Sequence, residues 1–122
     1  MDSFHSNELN IPIIDKLFTL YKKTHQLIKS FPKTEKYSLG LKAESLILDI
    51  FTEVFTANQL PDLLKEDRLQ KINSENETLK LLYRLAFEIK IIEVKDYLAV
   101  QEILRETGKM LGGWIKYLKA KR

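Results

Sequence analysis

Apolar residues recur at alternating steps of three and four along most of the chain, the spacing of one face of an α-helix. Ile14, Leu17, Tyr21, Thr24, Ile28 and Phe31 form the first such stripe, widened by Ile13, Leu20 and Leu27 as packing in a bundle requires. Ile11–Pro12 opens this helix, with Pro12 suited to a first turn whose N–H groups have no partner. Phe31–Pro32 closes it, because the residue before proline is driven out of the helical region. The second stripe is Leu39, Ala43, Leu46, Ile50, Val54 and Ala57, with Phe51 and Phe55 beside it; Ser38 is its expected cap and Asn58–Pro61 its end. Residues 62–73 are weakly amphipathic, and the pattern leaves open whether they form a helix of their own. Ser74–Glu77 fits a capping box and predicts a helix carrying Leu79, Leu82, Leu85, Ala86, Ile89 and Ile92. Asp96 is the expected cap of the last helix, which holds Tyr97, Val100, Leu104, Leu111 and Leu118.

Four helices joined by short connections predict an all-α, up-down-up-down four-helix bundle, a single domain over residues 1–122 with a flexible N-terminus at about 1–10. In that topology the first and fourth helices are neighbours. The charge order makes this adjacency informative. Residues 15–42 are strongly basic, 43–77 strongly acidic and 78–122 basic again, although the net charge is only +3. The two basic helices would then lie side by side, away from the acidic second helix.

Composition removes several kinds of chemistry. There is no cysteine, so thiolate metal sites and cysteine nucleophiles are excluded, and two histidines do not make a multi-histidine metal centre. Glu44, Asp49 and Glu53 do not reproduce the Glu-x-x-His pattern of carboxylate-bridged metal bundles. No phosphate-binding loop, dinucleotide fingerprint or nucleophile elbow is present, so neither catalysis nor a cofactor is expected. No uncharged apolar run approaches the ~20 residues that span a bilayer, and the N-terminus lacks the features of a signal peptide. The expectation is a cytoplasmic, non-enzymatic protein without membrane partners.

What remains is lysine. Lys16 with Lys23 and Lys22 with Lys29 form two seven-spaced pairs on opposite flanks of the first helix, and Arg105, Lys109 and Lys116 share one flank of the fourth. Rows of this kind suit phosphate backbones, which are bound by charge neutralisation without base reading. Lys33 and Lys119 complete the candidate nucleic-acid set. Gly108, Gly112 and Gly113 sit inside the last helix, where each costs about 1 kcal/mol relative to alanine. They mark, with Trp114, a candidate close approach of another helix or subunit. His25 reads as a half-buried packing residue.

Two stretches go beyond generic helical patterning: Phe31-Pro32-Lys33-Thr34-Glu35-Lys36-Tyr37-Ser38-Leu39-Gly40 and Gly108-Lys109-Met110-Leu111-Gly112-Gly113-Trp114-Ile115-Lys116. In this order they resemble the Avd family, the accessory variability determinants of diversity-generating retroelements, over roughly residues 12–119. That family is related to the four-helix proteins encoded in intervening sequences of 23S ribosomal RNA. The resemblance implies a non-enzymatic bundle that assembles into a barrel-like homopentamer, associates with a reverse transcriptase, binds RNA or DNA and supports mutagenic retrohoming. The alternative is a structural bundle of the intervening-sequence type that acts through protein contacts. Asp49-Ile50-Phe51-Thr52-Glu53 stands where those relatives usually carry an Ala-Glu-Gly-like element, which favours the Avd side.

Overall fold

The computed structural model describes residues 2–121, with side chains from Pro12 onward. Four long helices account for nearly all of it: α1 (Asp2–Lys29), α2 (Leu41–Gln59), α3 (Asp62–Glu88) and α4 (Val94–Lys121). Neighbours in the chain pack together, and α1 closes the ring against α4. This is the expected up-down-up-down bundle. Ile13, Leu17 and Leu20 of α1, Ile47, Ile50 and Val54 of α2, Leu69, Ile72 and Leu79 of α3, and Leu104, Leu111 and Trp114 of α4 are fully buried and form one core.

Boundaries differ from the sequence expectation in several places, each for a local reason. Helix α1 begins before Pro12, which lies inside it; the expected flexibility of residues 1–10 concerns residues whose side chains are outside those described. Ser38 is not a cap. Helical backbone starts directly after Pro32 with a single turn, Lys33–Glu35, then widens into a π turn over Lys36–Gly40 that runs on into α2. The Ser38 hydroxyl donates to the Thr34 carbonyl at 3.0 Å. Gly40 permits a close approach here, since a Cβ would lie 3.2 Å from the Ile28 side chain and 3.3 Å from the Glu35 carbonyl, tighter than an ordinary contact.

The third difference resolves residues 62–73. They belong to α3, which starts right after Pro61 and buries Lys65, Leu69, Ile72, Asn76, Leu79, Tyr83 and Ala86 on one uninterrupted stripe. Nothing between Asp62 and Glu77 breaks a helix, so the apparent capping box is helix interior, and the Ser74 carbonyl accepts from Thr78. Helix α3 ends at Glu88 rather than near Ile92. Lys90 takes the left-handed conformation, φ 66°, while its N–H reaches Phe87 and that of Ile91 reaches Ala86, each at 3.0 Å. This is a Schellman stop with lysine where glycine is usual. Fourth, Asp96 lies inside the first turn of α4 rather than at its cap, and its carboxylate turns to Lys23 at 2.7 Å.

Polar groups in the core are few. Thr24 of α1 and Tyr83 of α3 are hydrogen-bonded across the bundle, and burial pushes the Tyr83 hydroxyl up, keeping it protonated. The Asn76 amide donates to the Leu104 carbonyl at 3.0 Å.

Candidate nucleic-acid interface

The seam between α1 and α4 is where the two basic helices meet. Lys16 of α1 pairs with Glu106 at 3.0 Å, and Lys23 pairs with Asp96 at 2.7 Å. These contacts fix the antiparallel register, and they also engage half of the α1 lysines with carboxylates of α4. Lys22 and Lys29 lie on the other side of α1, the side on which Phe18 packs against Phe51 of α2 and His25 approaches Glu44. Arg105 is held in a fork by Glu102, with contacts of 2.6 and 2.9 Å, and its hydrogen bonds keep the Glu102 carboxyl below its ordinary value. Lys119 stands 4.0 Å from Glu66 of α3.

The single patch expected from charge order is therefore not formed. Adjacency of the helices is as expected, but Lys16, Lys23 and Arg105 are engaged with acids on α4 itself. At 1.5 Å per residue, the register set by the two seam pairs separates Lys29 from Lys109 by roughly 24 Å along the bundle. Sequence order alone cannot show which lysines find carboxylates across a helix seam.

Among the described residues, eight lysines make no ion pair: Lys22, Lys29, Lys33, Lys36, Lys42, Lys90, Lys109 and Lys116. Lys109 and Lys116 follow the outer surface of α4. Lys29, Lys33, Lys36, Lys42 and Lys90 collect at one end of the bundle, the end that carries both the π turn and the α3–α4 turn. Lys36, Lys42 and Lys90 are not candidates on sequence; the Phe-Pro-Lys motif is the one signal in the chain that points to this end.

The glycine motif divides on folding. A Cβ on Gly108 would lie 3.3 Å from the Asn76 amide of the same chain, whereas Gly112 and Gly113 face open space. Trp114 is fully buried in the chain's own core. The notch expected at Gly108 is thus filled by Asn76, and the Trp114 ring belongs to the subunit interior rather than to an outward interface. Gly112 and Gly113 remain on the surface. A second surface feature emerges only from the structure. Leu41, Leu48 and Phe55, seven residues apart, are all exposed along α2, and Phe18 (48% exposed) packs on Phe51 of the same helix. Their spacing is legible in the sequence, but there Phe55 reads as extra bulk around the core stripe.

The opposite seam, α2 with α3, is acidic. The Lys71 ammonium meets Glu53 at 2.9 Å. Burial, together with the hydrogen bond and charge of Glu53, pushes the Glu75 carboxyl up to about 7. Burial also acts to raise Glu53, but the hydrogen bond from Glu75 and the Lys71 ammonium outweigh it, so Glu53 stays ionised further into acid than usual. No group of three or more metal-ligating side chains occurs among the described residues, and no described helix is long and apolar enough to cross a membrane.

The chain is thus an all-α four-helix bundle with a packed core, lysines without ion pairs on its surface and an exposed apolar stripe. Family comparison agrees with the motif reading. A model described as bAvd-like matches residues 12–118, and the chain belongs to that family. Neither a curated protein nor a solved structure matches it significantly.

Proposed function

We propose that this chain is a non-enzymatic accessory protein of a diversity-generating retroelement, which associates with the reverse transcriptase and binds nucleic acid through the phosphate backbone. Membership of the bAvd-like family supports the system; the observation that carries nucleic-acid binding is the set of eight lysines without acidic partners. Lysines placed this way add affinity by releasing counterions, equally for all sequences. The apolar stripe of Leu41, Leu48 and Phe55 supports assembly with further copies of the same chain, five in number as the family resemblance implies. Repetition around a ring would add individually weak phosphate contacts by multivalency.

Binding to single-stranded RNA and duplex DNA, followed by anisotropy across a salt series, tests this reading. Affinity should fall steeply with salt, and Lys109→Glu with Lys116→Glu should reduce the log–log slope by about one for each phosphate no longer neutralised. Absence of salt-dependent binding to either polymer would refute it. Co-purification of the reverse transcriptase with the tagged chain tests the partner separately.

A further inference from the structure

The end of the bundle that gathers five unpaired lysines also displays an aromatic ring. Tyr37 sits in the π turn and is 71% exposed; among the described large apolar side chains only Leu63 is more so. Its backbone is well anchored. Gly40 lets the turn close onto Ile28, Ser38 ties back to Thr34, and the Lys36 N–H bonds to the Pro32 carbonyl at 3.0 Å. A ring held out into water on a fixed turn costs apolar exposure and contributes nothing to the core. Lys36 precedes it in the same turn, and Lys33 stands four residues earlier in the turn before.

Lys90 supplies the other side of this end. It occupies a left-handed position that favours glycine, yet presents an ammonium with no ion pair. Of the acids nearby, Glu88 pairs with Arg84 at 2.8 Å, Asp96 with Lys23 at 2.7 Å and Glu93 with Lys95 at 4.0 Å, which leaves Glu35 as the one carboxylate of this turn with no ion pair among the described residues. With neighbouring helix axes 8–10 Å apart, the two turns stand roughly 10–20 Å from one another, a span of a few nucleotides.

We propose that this end of the bundle is a binding site for single-stranded nucleic acid, in which a base stacks on Tyr37 and Lys33, Lys36 and Lys90 hold the adjoining phosphates. The proposal deepens the nucleic-acid reading above and rests on it. An exposed aromatic amid lysines distinguishes single strands from duplexes, because only an unpaired base offers its face to the ring. Base stacking of this kind is tolerant of sequence, so the site selects strandedness rather than a motif.

The experiment measures affinity of the full chain for a mixed-sequence 12-nucleotide RNA and for a duplex of the same length. Tyr37→Ala should weaken single-strand binding about ten-fold while changing duplex binding less than two-fold, and Tyr37→Phe should retain wild-type affinity. Lys33→Glu with Lys36→Glu and Lys90→Glu should abolish single-strand binding at moderate salt. Circular dichroism and thermal melting establish that each variant is folded. Photocrosslinking with 5-iodouridine in the RNA, mapped by mass spectrometry, should label Tyr37. Wild-type binding that survives all these changes but disappears with Lys109→Glu and Lys116→Glu would overturn this site and leave the nucleic-acid reading standing. Wild-type protein that binds neither polymer would overturn both.

Discussion

Trp114 offers the sharpest check on how the glycine-tryptophan motif is used. Its side chain is fully buried within the chain, and a tryptophan buries roughly 200 Å². At about 25 cal/mol per Å² the transfer contribution is about 5 kcal/mol, and truncation of a buried aromatic to alanine costs about 3–5 kcal/mol. Set against a domain stability of about 5–15 kcal/mol, Trp114→Ala should lower the melting temperature by roughly 10–20 °C. Trp114→Phe should behave differently. The indole N–H of Trp114 has no hydrogen-bond partner, and an orphaned buried donor costs about 1–3 kcal/mol. Phenylalanine gives up some packing but removes that orphan, so the net change should lie within about 1 kcal/mol of zero. Urea denaturation of both variants measures the difference, and acrylamide quenching of the wild-type fluorescence reports access to the ring. A Trp114→Ala protein of wild-type stability that fails only to assemble would refute the reasoning and return the ring to an intersubunit contact.

Glu75→Gln should flatten the pH dependence of stability near neutrality. A carboxyl raised to about 7 in the folded chain contributes stability that is complete below its unfolded value and lost as pH rises through about 7; urea midpoints at pH 5.5 and 8.5 should therefore differ more in the wild type than in the variant. Lys90→Gly should stabilise the chain by about 1 kcal/mol, because it relieves a left-handed lysine, and an unchanged denaturation midpoint would count against that geometry. Phe55→Glu should reduce the proposed oligomer to smaller species by light scattering with helicity retained. A Cβ at Gly112 meets no atom within 4 Å in the subunit, so a loss of assembly in Gly112→Leu, without loss of melting temperature, would place Gly112 in a contact between copies.

Much of this architecture is legible in the chain. The three-and-four stripes locate every helix, and Leu17, Ile50, Leu79 and Leu104 are fully buried as that spacing expects, whereas Leu85 and Ile89, placed on the third stripe by the same spacing, are exposed. Ends are harder to read. Ser38, Ser74 and Asp96 all have the chemistry of a cap, yet each lies where helical backbone already exists, since Pro32 and Pro61 set the true starts for the first two and α4 is helical from Val94. Side-chain chemistry proposes caps, and only the path of the main chain selects among them. The site is less legible for a different reason. Whether a lysine is available to a phosphate depends on the carboxylate opposite it in space. Lys16 and Lys22 are equivalent by sequence, but Glu106 stands opposite only the first.

The π turn at Lys36–Gly40 has a consequence for how this chain tolerates changes of length. A π turn amounts to one residue inserted into an otherwise α-helical run. The residues before it are thereby rotated about 100° relative to those after it, and across the turn Tyr37 points out while Leu39 points inward. Register around the core is thus set by a residue count rather than by any one side chain. Removal of a single residue in this stretch would close the turn into ordinary helix and swing Lys33–Tyr37 away from the surface they now share. Substitutions are absorbed locally at such a place, whereas a one-codon deletion rephases an entire corner of the bundle.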